Sequence, residues 1–223
     1  MNTKLIKEIT RNIGPHGRVR LSKPRIPPMS DEEYNKKWEK LVNESEWAKE
    51  VQFLIDKTIS NKGRNYNVFK GCMEHQESFM RYLMWLYHIL FHLTLPDRDR
   101  EILILRIGWL CGSEYEWAQH KIIGAMSGLK TKEIRRITEG PDAEGWDPFD
   151  ATLIRAVDEL YKDCFISEPT WKALAERYDK RQLIDLISTV GMYEYVCMFL
   201  NTLGVPLDEG FTGFPKKKTI VPK

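Results

Sequence analysis

Apolar residues recur at intervals of three and four positions along most of the chain, which is the period of an α-helix buried on one face. No segment shows a convincing alternation with a period of two, so we predict no β-strand. Most periodic segments begin at Ser, Asp, Thr or Pro, and several end at glycine. The pattern predicts an all-α fold with helices near residues 30–41, 45–59, 67–74, 76–92, 97–110, 113–127, 131–138, 148–162, 167–178 and 181–203.

A glycine separates two apolar helices in the middle of the chain. Gly112 follows residues 97–110 and precedes residues 113–127, so the second helix can fold back antiparallel on the first. The stretch REILILRIGWL and the helix after it are echoed by RQLIDLISTVGMY and CMFLNTLGV, with Gly108 aligned to Gly191. We interpret this echo as a duplicated helical hairpin in which only the first copy carries the charged residues.

Both ends of the chain are basic and lack helical periodicity. Residues 1–28 carry seven basic residues against the single acid Glu8, and they end in KPRIPP, whose prolines favour an extended chain. Residues 212–223 contain three consecutive lysines. The sequence therefore predicts one helical domain at 29–211 between a basic arm and a basic tail. The arm is either a solvated tail or a strap across a neighbouring subunit.

The composition is that of an ordinary globular protein. The chain has 223 residues, of which 42% are hydrophobic and 30% charged, with a net charge of +2. This balance predicts neither nucleic acid nor an anionic membrane as a partner. Residues 82–95, the longest weakly charged run, are fewer than the roughly 18 that span a bilayer. No apolar segment typical of a secretory signal follows the N-terminal charges, so we expect a cytoplasmic protein with four reduced cysteines.

Three polar residues of one predicted helix share a face. Ser113, Glu116 and His120 fall within an arc of about 60° at 100° per residue. If the helix folds back at Gly112, Glu101 of the preceding helix can reach the same face. An imidazole beside carboxylates exchanges protons near neutral pH, so the group is suited to general acid–base catalysis.

Two other interpretations of these polar residues stay open. Ser113-x-x-Glu116 also matches a capping box, in which Glu116 bonds the main chain and His120 is an ordinary buried histidine. His88 and His92 have the spacing of two metal ligands on one helix face, but no acid lies between them. Buried or interfacial histidines explain this second pair more simply, so we expect no metal and no cofactor.

The stretch LPDRDREILILRIGWLCGSEYEWAQHKIIGAMSGLKTKEI, with GPDAEGW, DATLIRAVDELYKD and VGMYEYVCMFLNTLGVPLDEG after it, resembles the carboxymuconolactone decarboxylase family, which includes the AhpD-like alkylhydroperoxidases. The resemblance covers residues 27–210. It implies an AhpD-like all-α helical bundle, a homo-oligomer such as a trimer or hexamer, and a site between helices near subunit contacts.

Two branches of that family imply different chemistry. The peroxidase-like branch uses Cys-x-x-Cys-x-x-x-His with a glutamate one helix earlier. His120 and Glu101 match, but Ser113 and Glu116 stand at the cysteine positions and cannot form a disulfide. Cys111 lies two residues before the first of these positions, and without a partner thiol it cannot run a dithiol cycle. A hydroperoxide reductase rebuilt around Cys111 is therefore the alternative enzyme.

The decarboxylase-like branch lacks the cysteine pair, as this chain does. Resemblance to it implies a carbon–carbon lyase acting on a small carboxylated lactone or enolisable acid, with His120 or Glu116 as the proton donor and Glu101 as its orienting partner. The substrate-binding residues expected beside them are Ser113, Arg106, Tyr115 and Trp117, with Arg106 as the cation for the substrate carboxylate. From a different class, the chain is a non-catalytic helical oligomer that binds a small apolar ligand.

Overall fold

A computed structural model describes residues 10–13, 18–21, 23–49, 52 and 66–215. Helix α1 is Asp31–Glu44, and residues 46–49 and 52 are also helical. A 3-10 turn at Met73–His75 joins α2 to α3, and a π-helical turn at His88–His92 extends α3. The remaining helices are α2 (Asn67–Cys72), α3 (Gln76–Tyr87), α4 (Asp97–Leu110), α5 (Glu114–Met126), α6 (Thr131–Ile137), α7 (Pro148–Asp163), α8 (Glu168–Ala175) and α9 (Lys180–Leu203).

Helix α4 is the centre of the bundle. It packs against α5, α7 and α9, and every residue from Asp99 to Gly108 is buried. A helix enclosed on all sides has no solvent face, so each charged residue along it must find a partner inside the protein. The two charged residues of α4 nearest the candidate site are Arg100 and Glu101, and both are buried.

Glycines hold the α4–α5 hairpin close. Gly112 has a φ of 63°, a left-handed conformation that ends α4 and turns the chain into α5. A Cβ at Gly108 would lie 3.7 Å from Glu116 Cβ, and one at Gly124 would lie 3.6 Å from Glu101 Cβ. The predicted antiparallel hairpin is confirmed, and its close approach places Glu116 against α4 and Glu101 against α5.

The helical domain is confirmed as all-α, but the arm departs from the prediction of no strand. Two short strands, β1 (Thr10–Ile13) and β2 (Arg18–Leu21), pair antiparallel with Thr10 opposite Leu21. Strand β2 lies next to α9, and Arg25 N donates to Leu203 O at 2.7 Å. Each strand has only four residues, which is too short for a convincing alternation, so the pattern missed them.

The predicted helices differ from the observed ones at three places. The segment 76–92 changes to a π-helical turn at His88, and α8 ends at Ala175 rather than at residue 178. The second half of the internal echo is one uninterrupted helix, α9, so the hairpin is not repeated. Gly191 keeps helical geometry between buried neighbours, whereas Gly112 reverses the chain. Most of the predicted helix at 45–59 and the lysines 216–218 lie outside the described residues.

Helix α9 is the one described helix that is long and apolar enough to cross a membrane by length and composition. Of its most apolar window, 56% is buried inside the bundle. Such burial is typical of the core helix of a soluble protein.

Arg98 anchors the start of α7 to the start of α4. Its guanidinium donates to both Asp150 oxygens at 2.8 and 2.7 Å and to Glu133 at 3.0 Å, and Asp150 is buried. We expect Arg98→Ala to lower the free energy of unfolding by about 2 kcal/mol, because it leaves a buried carboxylate unpaired. Urea denaturation measures this loss.

Arg155→Ala is the matched control, because Arg155 pairs with the exposed Asp142 at 2.7 Å. An exposed pair stabilises by less than about 0.5 kcal/mol. Equal losses in the two variants would contradict the anchoring role of Arg98.

Candidate active site

A small cavity lies beside the α4–α5 hairpin, enclosed by α2, α3, α5 and α9. Aromatic and aliphatic side chains form most of its wall, and the acid Glu116 and the imidazole of His120 enter it from α5. Its volume is about 90 Å³, and it is lined by Tyr66, Val68, Phe69, Tyr82, Leu86, Leu90, Tyr115, Glu116, Gln119, His120, Ile123, Tyr193 and Val196.

His120 lies between two carboxylates. Its Nδ1 is 2.7 Å from Glu101 Oε2 on α4, and its Nε2 is 3.0 Å from Glu116 Oε1 on its own helix. All three side chains are buried. The structure therefore brings together the three residues that the sequence assigned to proton transfer. Glu116 and His120 border the cavity, whereas Glu101 does not and contacts the imidazole on the side away from it.

Arg100 supplies the positive charge behind this group. Its Nε donates to Glu101 Oε1 at 2.9 Å, and its Nη1 donates to Asp97 Oδ1 at 2.8 Å and to Leu90 O at 3.4 Å. Leu90 belongs to the π-helical turn, so this local widening of the helix directs a carbonyl towards the guanidinium. Both Glu101 oxygens are bonded, one to a fixed cation and one to the imidazole.

The charges around His120 favour its protonated form. Burial is the largest single influence and opposes the imidazolium, but the carboxylates of Glu101 and Glu116 outweigh it and raise the pKa of His120 to about 9. Burial also acts against ionised Glu101, yet His120 and Arg100 lower the pKa of that carboxyl below its usual value. At neutral pH His120 is thus an imidazolium that contacts the ionised Glu101, with one exchangeable proton next to the cavity.

Two tyrosines border the same group. The ring of Tyr193 on α9 meets the His120 ring edge to face, with 4.9 Å between centroids. Burial and the nearby carboxylates raise the pKa of Tyr193 well above its usual value, and burial does the same for Tyr82. Both phenols therefore stay neutral and can act as hydrogen-bond donors.

The capping-box interpretation of Ser113 and Glu116 is wrong. Ser113 is the N-cap residue of α5, but its side chain accepts no bond from the main chain, and Glu116 pairs with His120 instead. The Ser113 hydroxyl is buried and faces the thiol of Cys197. Ser113 therefore lies behind the cavity wall rather than on it.

Tyr115 lines the cavity and ties it to the segment after α9. Its hydroxyl bonds Asp208, and it accepts the Val68 N–H at 3.3 Å. Asp208 also accepts from Gln119 Nε2 at 2.9 Å and from Asn67 N at 2.8 Å. Burial raises the pKa of Asp208. These bonds fix one wall of the cavity in place.

Two more of the four expected substrate-binding residues, besides Ser113, lie away from the cavity. Arg106 points away from the cavity, where its guanidinium binds both oxygens of Asp158 at 2.6 and 2.8 Å and the carbonyl of Ile137 at 2.7 Å. Trp117 packs against Trp109 of α4 and against Phe214, so the segment after α9 covers this side of α5. The structure places neither residue at the site, because each occupies a different side of its helix from the site residues.

The histidine pair at residues 88 and 92 is used in packing. His88 Nε2 is 3.0 Å from Asp185 Oδ1, and the ring of His92 lies 4.7 Å from that of Tyr87. Among the residues that the structure describes, no three His, Cys, Asp or Glu side chains are grouped to hold a metal ion.

Cys111 has a neighbouring thiol, contrary to expectation. Cys197 of α9 is in hydrogen-bond contact with it, and both side chains are buried. Burial, Cys111 and Glu116 together raise the pKa of the Cys197 thiol well above its usual value. A thiol held in its neutral form is a weak nucleophile, and neither cysteine is among the residues that line the cavity.

Several site residues were missed by the sequence interpretation. Arg100 adjoins Glu101 in the sequence. Because a buried acid in an enclosed helix needs a cation, the heavily charged start of α4 could have predicted this pairing. Tyr193 and Tyr82 have no such signal, because an aromatic residue on a helix most often belongs to the core. Asp208 lies in an irregular segment whose position depends on the whole fold.

Known structures share this architecture at low sequence identity. A peroxidase-related protein from Silicibacter sp. TM1040 aligns with a TM-score of 0.64 and 12% identity over 84% of this chain and 95% of its own. The debrominase Bmp8, in complex with 2,3,4-tribromopyrrole, aligns with a TM-score of 0.65 and 8% identity over 84% and 94%. An uncharacterized peroxidase-related protein from Ralstonia eutropha JMP134, described as an alkylhydroperoxidase AhpD core, aligns with a TM-score of 0.58 and 15% identity over 73% of this chain and 85% of its own.

The fold is AhpD-like. No protein-family model and no curated protein sequence matches the chain. At these identities the AhpD-like neighbours establish the architecture alone, and they include enzymes of more than one kind. The chemistry has to be inferred from the residues in this chain's own site.

The raised pKa of His120 makes the stability of the protein depend on pH. A group whose pKa is higher in the folded state stabilises fully below its unfolded pKa of about 6.5, and this contribution is lost as the pH rises through 9. We expect the free energy of unfolding to fall by about 3 kcal/mol between pH 6 and pH 9.5. Urea titrations at half-unit pH steps measure this fall.

The double variant Glu101→Gln and Glu116→Gln is the matched control. It removes both carboxylates, so burial alone acts on His120 and its pKa drops below the usual value. His120 should then no longer contribute, so the fall between pH 6 and pH 9.5 should be about 3 kcal/mol smaller than in the wild type. The part that remains comes from the buried thiols of Cys72 and Cys197, whose pKa values are also raised. An equal fall in the wild type and in this variant would contradict the pairing of His120 with the two glutamates.

Proposed function

We propose that the protein is a cofactor-free enzyme that moves a proton on a small, uncharged, enolisable molecule such as a lactone. The observation that supports this most is the imidazolium of His120 held between Glu101 and Glu116 at the edge of an apolar cavity. A proton donor and a proton acceptor in direct contact, shielded from solvent, are the parts that general acid–base catalysis needs.

Glu116 is the proposed base. It borders the cavity and its Oε1 lies 3.0 Å from His120 Nε2, so it can accept a proton from the carbon next to a substrate carbonyl. The electron pair of the broken C–H bond moves into the carbonyl and forms an enolate. The His120 imidazolium then returns a proton, directly or through Glu116, to the enolate oxygen or to another carbon.

Glu101 and Arg100 are positioning residues in this scheme. Glu101 Oε2 holds the ring through Nδ1, which leaves Nε2 facing Glu116. Arg100 keeps Glu101 ionised, since it donates to the other oxygen of that carboxylate at 2.9 Å. The orientation of the imidazole is thereby fixed before a substrate binds.

The lining of the cavity supports proton transfer over the decarboxylation implied by the family resemblance. A carboxylated substrate needs a cation, but Arg106 is bound to Asp158, Arg100 lies behind Glu101, and the cavity wall contains no lysine or arginine among the described residues. A second carboxylate beside Glu116 would be repelled. A volume of about 90 Å³ limits the bound part to a few heavy atoms, since cavities near 150 Å³ hold benzene.

Hydroperoxide reduction is the second candidate, and the contact between Cys111 and Cys197 is the observation in its favour. Oxidation of the two thiols by a hydroperoxide would give a disulfide, an alcohol and water. The raised pKa of Cys197 and the burial of both thiols count against it.

A role in ligand binding without catalysis would use the same cavity as the proton-transfer reaction.

Deuterium exchange tests the proposal. The protein is incubated in D₂O with α-angelica lactone, γ-butyrolactone and cyclopentanone, and loss of the proton next to the carbonyl is followed by ¹H NMR. We expect exchange of at least one compound above the buffer rate, reduced by about a hundredfold or more in Glu116→Gln and His120→Gln. Glu114→Gln, an isosteric change on the same helix that does not border the cavity, should leave the rate unchanged.

Each alternative has its own outcome in this design. Turnover of cumene hydroperoxide with dithiothreitol that is abolished in Cys111→Ser would replace the acid–base proposal with the redox one. Saturable binding of these compounds by the wild type, with no exchange of any of them, would favour a binding protein. Exchange that is unchanged in Glu116→Gln would exclude Glu116 as the base.

A further inference from the structure

A groove on the surface lies next to the candidate active-site cavity and is much larger than it. It runs between residues 78–82 of α3 and residues 195–203 of α9, and we name it the α3–α9 groove. Its volume is about 430 Å³, against about 90 Å³ for the cavity. Small-molecule sites usually enclose roughly 300–1,000 Å³, so the groove is large enough to bind a ligand.

The α3–α9 groove has a floor and a closed end, unlike a flat exposed patch. Phe79 lies in its wall and is buried in the core. At one end Ile26 lines the groove beside Leu203, and Arg25 N donates to Leu203 O at 2.7 Å. The segment after β2 therefore closes that end through a main-chain bond to α9.

The wall of the groove is mainly apolar. Phe79, Phe199 and Met198 contribute to it, and no lysine or arginine lines it among the described residues. Glu74 is the one carboxylate in this wall, and its Oε2 lies 3.6 Å from Lys37 Nζ. The groove thus offers no cation to a charged ligand, whereas an uncharged apolar chain gains free energy by leaving water there.

Tyr82 borders both the groove and the cavity. Its ring stacks on Phe79, with 6.4 Å between centroids. Burial is the main cause of the raised pKa of its phenol, and the next two causes act from opposite sides: the Cys72 thiol in the groove wall and the Glu116 carboxylate in the cavity wall. One aromatic side chain therefore lies between the groove and the proposed base.

No hydrogen bond to the described residues holds the Tyr82 hydroxyl in place. Tyr115, which also lines the cavity, differs in this respect, because its hydroxyl bonds Asp208 and accepts the Val68 N–H. A change of the Tyr82 rotamer therefore breaks no polar contact within the described part of the chain, and it would join the groove to the cavity.

The cavity is too small for a substrate that carries a substituent. It holds a few heavy atoms beside Glu116 and His120, which is enough for a carbonyl group and the carbon next to it. A chain attached to that group needs a second apolar space, and the groove adjoins the cavity at Tyr82. Each methylene group that leaves water tightens binding by about fourfold.

We propose that the α3–α9 groove binds an alkyl chain of the substrate while the cavity binds its carbonyl group. The substrate class is then a lactone or ketone with an unbranched chain, such as γ-decalactone, rather than a bare ring. The chain passes Tyr82, which changes rotamer to admit it. The identity of the carbonyl group rests on the function proposed above, but binding of the chain does not.

Lactones that differ only in chain length test the groove. Isothermal titration calorimetry compares γ-octalactone, which carries a butyl chain, with γ-decalactone, which carries a hexyl chain. We expect the dissociation constant to be about tenfold lower for γ-decalactone, because two more methylene groups are buried. In Ser78→Trp this difference should disappear, because the indole fills the groove one helical turn before Tyr82.

Met84→Trp is the matched control. Met84 is exposed on the same helix and borders neither the groove nor the cavity, so this variant should keep the full difference between the two lactones. Circular dichroism checks that both variants are folded, and sedimentation velocity checks that their state of association is that of the wild type.

Nuclear Overhauser effects locate the chain in the wild-type protein without any substitution. The hexyl chain of γ-decalactone should show contacts to the ¹³C-labelled methyl group of Met198, which lines the groove. It should show none to Met126 of α5, whose side chain is exposed and borders neither space. Contacts to neither methionine, or to Met126 alone, would overturn the proposal.

The groove proposal and the proposed function fail separately. Binding of γ-decalactone with the chain effect, but without deuterium exchange, would contradict the function and support the groove. Catalysed exchange with affinities that depend neither on chain length nor on Ser78→Trp would overturn the groove proposal alone.

Two further results would overturn the groove proposal. The first is decan-1-ol binding that leaves γ-decalactone bound, which would make the groove a separate site for apolar chains. The second is a change in the sedimentation coefficient caused by Ser78→Trp, which would make the groove a contact between subunits.

Discussion

The contact between Glu101 and His120 is the interaction on which the rest of the site depends. It joins the enclosed helix α4 to α5 through a bond of 2.7 Å between buried groups. Glu101 has no route to solvent, so its charge is tolerated only because Arg100 and His120 neutralise it. His120 in turn contacts Glu116 at the edge of the cavity, with 3.0 Å between Nε2 and Oε1. Loss of either partner would leave an uncompensated charge in the core of the bundle.

The main chain is arranged around this contact. Gly112 reverses the chain between α4 and α5, and Gly108 and Gly124 let the two helices approach at the levels of Glu116 and Glu101. The π-helical turn after α3 presents the Leu90 carbonyl to Arg100. Helix α9 closes the site with the ring of Tyr193. An AhpD-like fold thus brings an imidazole and two glutamate side chains together at the edge of a cavity.

Much of the helical framework could be predicted from the sequence, because its signals are local. Ser30 caps α1 and the prolines at 96 and 148 begin α4 and α7, as their chemistry favours. The meeting of Glu101 with His120 followed from one further assumption, the reversal at Gly112. The internal echo was misleading because Gly191 and its counterpart Gly108 both lie within helices, and nothing inside α9 corresponds to the chain reversal at Gly112.

The rest of the site depends on where side chains point, which the spacing of residues along the sequence does not determine. Ser113 and Glu116 have the same spacing in a capping box and in an acid–base site, and only the rotamer of Glu116 separates the two. Arg106 lies five residues after Glu101, which turns it about 140° away on the helix and towards Asp158. Cys197 meets Cys111 across a separation of 86 residues in the chain, which no local pattern records.

The protonation of His120 tests the account most directly. ¹⁵N NMR of the imidazole nitrogens, recorded across a pH titration, reports both the charge of the ring and its midpoint. The account predicts an imidazolium at pH 7 that titrates near pH 9 in the wild type, and a lower midpoint in Glu101→Gln. A neutral ring at pH 7, or a midpoint that Glu101→Gln does not lower, would contradict it.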